Sequence, residues 1–204
     1  MERILVGFID DERESHVDYA TRLARKGIDL ILYEGENNVE AIVNWVVNSE
    51  IQCLLIDHDL SRMFSQNGTD LVFEINQILI DFPCIVITNY PEQSRGENLV
   101  SSRLIWDREE MAGDIDIIVT KIINECLVYQ TRKEALYQKY TDLIERKETG
   151  LLQLDEEENL MRLHSIFSIY GQTDDIPARL LSSETDKKLD TLIDHLTRLI
   201  GKEE

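Results

Sequence analysis

The sequence predicts an α/β fold: a doubly wound parallel five-stranded sheet followed by an α-helical C-terminal module. Three observations support this prediction. Short apolar runs alternate with segments of helical periodicity over roughly the first half of the chain, acidic residues follow the first and third runs, and the periodicity from about Asp114 onward is helical only. Alternating strands and helices are typical of a parallel sheet with helices on both faces.

Four short apolar runs are the predicted strands, at residues 4–9, 28–33, 53–56 and 84–87. A strand that is covered by helices on both faces is apolar throughout rather than alternating, and these runs have that character. The fifth strand has two candidates, Leu99-Val100 and the run from Leu104 to Trp106, both after a predicted loop over residues 91–98.

The helices between these strands are predicted at residues 13–26, 38–48 and 69–80, where apolar residues recur at helical spacing. From Asp114 the helical pattern meets no proline or glycine until Gly150. Two further helices are predicted to begin near Asp155 and Ser183. We therefore expect a sheet domain over residues 1–130 and a helical interaction module over residues 131–204.

Composition excludes several classes of protein. The net charge is −19, with 24 acidic and 10 basic residues before residue 131 and 16 acidic and 11 basic residues after it. Nucleic-acid binding rests on clustered Lys and Arg, so no nucleic-acid partner is expected. No apolar run approaches the roughly 18 residues that span a bilayer, so no membrane association is expected. Three widely spaced cysteines and the lack of a signal peptide predict a cytoplasmic protein.

Acidic residues follow the predicted strands at the edge where parallel sheets bind ligands. Asp10 and Asp11 come directly after the first strand, Asp57 after the third, and Thr88 after the fourth. Carboxylates brought together without a cation repel one another, and Mg²⁺ is a hard ion that prefers oxygen ligands. The pattern therefore predicts a magnesium site.

Four motifs in this order resemble the receiver domain of two-component response regulators. They are Phe8-Ile9-Asp10-Asp11-Glu12, Leu54-Leu55-Ile56-Asp57-His58-Asp59-Leu60, Asn67-Gly68-Thr69-Asp70-Leu71-Val72 and Pro83-Cys84-Ile85-Val86-Ile87-Thr88. The resemblance covers about 90 residues and implies a receiver or flavodoxin-like sheet. It also implies a signalling protein that receives a phosphoryl group from a histidine kinase.

By the same resemblance, Asp57 is the phosphoacceptor, and Thr88 binds a phosphoryl oxygen. Asp10, Asp11 and Asp57 would hold Mg²⁺ with help from a backbone carbonyl near Asp59. Any enzymatic activity would be limited to receiver-type autophosphorylation and dephosphorylation.

One position departs from the family pattern, because Asp107 follows the fifth candidate strand where receivers carry a lysine. Arg103 and Arg108 are the nearby cations that could replace that lysine, although a guanidinium and an ammonium are not equivalent. A carboxylate at this place favours an alternative, a pseudo-receiver that acts as an interaction scaffold without phosphorylation. The Asp57-His58-Asp59 sequence is also compatible with haloacid-dehalogenase-like phosphatases and with Toprim nucleases.

The last predicted helix carries a broad apolar stripe that must be buried somewhere. Its members are Leu189, Leu192, Ile193, Leu196, Leu199 and Ile200. It could pack on Leu160, Leu163 and Phe167 of the same chain, or it could meet another protein. We expect association, either as a homodimer or with a signalling partner through the C-terminal helices.

Overall fold

The computed structural model describes residues 3–173 and 177–200. Its sheet contains five parallel strands in the spatial order β2-β1-β3-β4-β5. The strands are β1 (Ile4–Ile9), β2 (Ile28–Leu32), β3 (Cys53–Asp57), β4 (Cys84–Thr88) and β5 (Ile105–Asp107). The predicted fold class is confirmed, and the fifth strand lies at the second of its two candidate positions.

Helices follow each of these strands. They are α1 (Arg13–Ala24), α2 (Val39–Asn48), α3 (Gly68–Ile78), α4 (Pro91–Gly96), α5 (Arg108–Ala112) and α6 (Ile115–Glu148). Asn38 and Asn67 cap α2 and α3, since each side-chain oxygen accepts a backbone N–H from the first turn. The predicted loop over residues 91–98 contains the short helix α4, and α5 was not predicted.

The core lies on both faces of the sheet. Strands β3 and β4 are buried at every residue, as their unbroken apolar sequences predicted. On one face, side chains of the sheet pack with apolar residues of α1 and α6, among them Leu23 and Ile122. On the other face, a Cβ atom on Gly7 would lie 2.6 Å from atoms of Leu54 and Trp45, so α2 approaches β1 closely where a glycine leaves room.

The C-terminal region is helical. Helix α6 is 34 residues long, and α7 (Leu154–Ile169) and α8 (Ser183–Ile200) follow it. The chain divides into two compact units, the first ending at Thr131 and the second beginning at Arg132. Among the described residues, no helix combines the length and the apolar character needed to cross a membrane.

The second unit has a small core of its own. Its buried members are Tyr140, Leu143, Leu160, Leu163 and Phe167. The described side chains of the apolar stripe on α8 do not belong to this core. Leu189, Leu192, Ile193 and Leu196 are 49 to 57% exposed, whereas the side chains of Leu199 and Ile200 lie outside the described residues.

Candidate functional site

Three carboxylates meet at the carboxyl edge of the sheet. Strands β1 and β3 are neighbours, with Ile9 opposite Ile56, so the residues that follow them come together. One carboxylate oxygen from each of Asp10, Asp11 and Asp57 lies within 4.8 Å of the others. Asp10 and Asp57 are buried, and Asp11 is half-buried. The sequence-predicted metal ligands therefore lie close enough to share one ion.

The carboxylate of Asp10 is buried in surroundings that disfavour its negative charge. Oδ1 of Asp10 accepts the backbone N–H of Glu12 at 2.7 Å, but Oδ2 is buried and has no hydrogen-bond partner among the described residues. Burial, together with the nearby charges of Asp57 and Asp11, raises the pKa of Asp10 to about 6. A buried carboxylate oxygen without a partner is unfavourable unless a cation or a proton compensates for it.

The candidate nucleophile has a similar environment. Burial raises the pKa of Asp57, and the hydrogen-bonded guanidinium of Arg108 opposes that rise. The surrounding donor set consists of carboxylate oxygens only, which suits a hard ion such as Mg²⁺ and not a soft one. The three carboxylates therefore fit a Mg²⁺ ion.

A cation of the chain itself also reaches this cluster. Arg108, the first residue of α5, donates a hydrogen bond from Nη2 to Oδ1 of Asp57, and the same nitrogen lies 3.9 Å from Oδ2 of Asp10. Arg103, the other cation considered from the sequence, pairs instead with Glu125 at 2.8 Å. Arg108 therefore supplies a positive charge next to Asp57.

Asp107 explains how Arg108 comes to this position. Asp107 is the last residue of β5 and pairs in register with Thr88. Its carboxylate accepts the backbone N–H of Glu109 at 2.9 Å and caps α5. The chain turns into a helix directly after the strand, and the first helical side chain points to the acids. The sequence alone does not distinguish Arg108 from Arg103, because α5 is too short to show a periodic pattern.

Thr88 ends β4 in the position expected for a ligand-binding hydroxyl. The residue is buried, and its Oγ1 accepts the backbone N–H of Tyr90 at 3.0 Å. A hydroxyl oxygen that accepts one bond can still donate its own hydrogen to a bound group. Thr88 is therefore held in place by the turn that follows it.

Asp57, Thr88 and Arg108 open onto one pocket with a volume of about 380 Å³. It is lined by Asp57, His58, Asp59, Asn67, Thr88, Asn89, Tyr90, Gln93 and Arg108. The pocket brings together a carboxylate, a hydroxyl and a guanidinium, and a bound phosphoryl group can interact with the last two while the first attacks it.

The glycine turn at the start of α3 forms part of the site's frame. The backbone N–H of Gly68 donates to the carbonyl of His58 at 2.8 Å. A Cβ atom at Gly68 would lie 2.2 Å from the carbonyl oxygen of Asp57, so any larger residue would displace the acceptor strand. The Asn67-Gly68 sequence therefore allows close contact between α3 and β3.

No known family profile matches the sequence, and no curated protein sequence matches it. Solved structures do match it. A response regulator receiver domain protein from Clostridium thermocellum superposes with a TM-score of 0.50 at 14% sequence identity, covering 63% of this chain and 98% of that chain. This chain has a receiver fold.

Two longer proteins match as well. The anti-anti-sigma factor PhyR from Bartonella quintana has a TM-score of 0.50 at 19% identity, covering 66% of this chain and 51% of that one. NtrX from Brucella abortus, crystallised with ADP, has a TM-score of 0.53 at 12% identity, covering 78% of this chain and 33% of that one. The chain thus spans about half of the PhyR chain and a third of the NtrX chain. At these identities the likeness is one of fold.

Proposed function

We propose that the chain is a two-component signalling protein that accepts a phosphoryl group on Asp57 from the phosphohistidine of a histidine kinase. The observation that carries the proposal is the shared pocket of Asp57, Thr88 and Arg108 beside the Asp10 and Asp11 carboxylates. The receiver fold supports it further, because that fold puts this pocket at the carboxyl edge of a parallel sheet.

In this proposal, a carboxylate oxygen of Asp57 attacks phosphorus, the phosphorus–nitrogen bond to the kinase histidine breaks, and the histidine leaves with the bonding electron pair. Mg²⁺, held by Asp10, Asp11 and Asp57, would offset the negative charge of the phosphoryl oxygens. Thr88 donates its hydroxyl hydrogen to one of those oxygens. Arg108 moves its hydrogen bond from the Asp57 carboxylate to the phosphoryl group, which carries more charge.

The scaffold alternative depended on a repelling carboxylate at Asp107. That carboxylate is bonded to the start of α5, and the neighbouring Arg108 supplies an attracting charge to the pocket. The reason for preferring a phosphorylation-independent protein is thereby weakened, and we favour the phosphoacceptor.

We further propose that residues 132–204 transmit the signal through protein contact. The exposed apolar stripe on α8, defined by Leu189, Leu192, Ile193 and Leu196, is the proposed contact surface. A second copy of the chain is the simplest partner, since a two-fold dimer would bury the same stripe from both subunits. Three buried free cysteines agree with the cytoplasmic location that such a signalling protein would have.

The decisive experiment is labelling by a small phosphodonor. The purified chain, incubated with acetyl phosphate and Mg²⁺, should gain one phosphoryl group that alkali removes, as an acyl phosphate requires. Asp57→Asn should not be labelled, whereas Asp142→Asn, an exposed acid of the second unit, should be. An unlabelled native chain would make the scaffold the better account.

A further inference from the structure

Helix α5 is the element that delivers Arg108 to the acids, and side chains hold it at both ends. Asp107 caps its beginning, as described above. At its other end, Arg22 of α1 donates from Nη1 to the carbonyl of Met111 and from Nη2 to the carbonyls of Ala112 at 3.4 Å and Gly113 at 2.7 Å. A single guanidinium thus binds three successive carbonyls.

These hydrogen bonds from Arg22 stabilise a helix that is too short to be stable by itself. Five residues are fewer than an isolated helix requires for stability, and the last carbonyls of any helix have no partner within it. Within the described chain, α5 buries one large apolar side chain, that of Met111. A guanidinium fork suits several carbonyls at once, and its charge strengthens each bond. Arg22 therefore anchors the carboxyl end of α5.

The position of α5 decides the position of Arg108 because Arg108 is its first residue. A small shift of the helix would move the guanidinium away from Asp57, and misplacement of a catalytic group by about 1 Å can lower a rate about a hundredfold. Arg22 itself binds carbonyls at the carboxyl end of α5, whereas Arg108 lies at the beginning of that helix.

We propose that Arg22 is a positioning residue of the phosphoacceptor site, acting through α5 to hold Arg108 against Asp57. The inference rests on the proposed function in one respect, the phosphoryl-binding role of Arg108. Its structural part, that Arg22 holds the carboxyl end of α5, rests on the hydrogen bonds alone.

The test uses the full-length chain and a matched control. Arg22→Gln removes the charge and the guanidinium that binds the three carbonyls. Arg22→Lys keeps the charge but has a single ammonium group in place of the planar guanidinium. Lys26→Gln is the control, since Lys26 follows the same helix and pairs with Asp116 of α6 at 2.5 Å without binding α5. In metal-free protein, the backbone amide hydrogens of residues 109–113 should exchange with solvent faster in Arg22→Gln than in the native chain. The increase should be smaller in Arg22→Lys and absent in Lys26→Gln.

Labelling by acetyl phosphate then tests the action through Arg108. Arg22→Gln should label roughly tenfold more slowly. In an Arg108→Gln background, the same change should cause no further loss, because the group that it positions is already absent. The proposal is wrong if the double variant labels more slowly than Arg108→Gln alone. It is also wrong if Arg22→Gln labels at the native rate, or if Lys26→Gln loses as much rate as Arg22→Gln.

A second readout separates this inference from the proposed function. If the native chain takes up no phosphate, the function fails, but the affinity for Mg²⁺ can still be measured. Arg108 repels a divalent cation, so Arg108→Gln should tighten Mg²⁺ binding, and Arg22→Gln should tighten it in the same direction but by less. A general loss of structure would weaken binding instead. An unchanged or weaker affinity in folded Arg22→Gln would show that Arg22 does not position Arg108.

Discussion

The guanidinium of Arg108 is hydrogen-bonded to Oδ1 of Asp57, so the proposed nucleophile shares an ion pair with a residue 51 positions later in the chain. The pair is partly screened, since the Arg108 side chain is 23% exposed while that of Asp57 is 9% exposed. In the proposed function, a Mg²⁺ ion held by the acids would compete with Arg108 for the Asp57 carboxylate. Both cations would nevertheless favour a bound phosphoryl group.

This opposition predicts two changes of opposite sign in Arg108→Gln. Mg²⁺ should bind more tightly because a repelling charge is removed, and labelling by acetyl phosphate should be slower, roughly ten- to a hundredfold, because a phosphoryl-binding cation is lost. Calorimetric titration and a labelling time course measure the two effects. Arg103→Gln is the matched control, since its pair with Glu125 lies elsewhere. Faster labelling in Arg108→Gln would mean that the arginine blocks the acceptor.

Mg²⁺ itself should stabilise the protein through the three acids. A ligand that binds only the native state raises the melting temperature by mass action. Asp11→Asn keeps the shape of the side chain and its bond from the Arg62 N–H but removes one ligand charge, so the shift produced by millimolar Mg²⁺ should largely disappear. Asp142→Asn, an exposed acid in the second unit, should leave the shift unchanged. Equal shifts in both variants would indicate general screening of the −19 charge.

The sequence predicts the acids well because each of them directly follows an apolar run. Asp10 follows β1, while Asp57 and Thr88 end β3 and β4, and parallel strands bring their carboxyl ends to one edge. Arg108 could not be singled out in the same way. Its direction depends on a five-residue helix that starts without a connecting loop, and so short an element leaves no periodic signal.

The C-terminal stripe illustrates a different limit. Its spacing predicted the helix α8 correctly, yet the same pattern fits burial within the chain and burial against a partner. Leu160, Leu163 and Phe167, the proposed internal partners, are fully buried in a cluster with Tyr140 and Leu143. Where the structure describes them, these residues of α7 pack with α6 while the stripe stays exposed, and periodicity carries no information about either arrangement.

Stability of the metal-free protein should depend on pH through Asp10. Its pKa is raised from 3.8 to about 6, so between these pH values the native state holds a proton that the unfolded state has released. The free energy of unfolding should therefore fall as the pH rises from about 4 to about 6, by up to about 3 kcal/mol for this group. The raised pKa of Asp57 acts in the same direction.

Urea unfolding in the presence of a chelator, over that pH range, measures this effect. Asp10→Asn keeps an oxygen to accept the Glu12 N–H but cannot ionise, so its stability should vary less with pH and should exceed that of the native chain at neutral pH. Asp29→Asn, whose acid pairs with Arg3 at the surface, serves as the control. If the native chain and Asp10→Asn show the same dependence of stability on pH between pH 4 and 6, the prediction is wrong.

Association should depend on the stripe of α8. Leu189, Leu192, Ile193 and Leu196 leave about half of each side chain in water, and burial of such a side chain contributes on the order of 1 kcal/mol or more. A dimer that pairs the stripes would remove this exposed surface. Replacing Leu192 and Leu196 with serine should therefore give a monomer, while Asp194→Ser on the same helix should dimerise like the native chain. Light scattering over a range of concentrations measures both. A chain ending at Thr131 should also be monomeric, and if it dimerises as well as the full chain, the interface lies in the receiver unit instead.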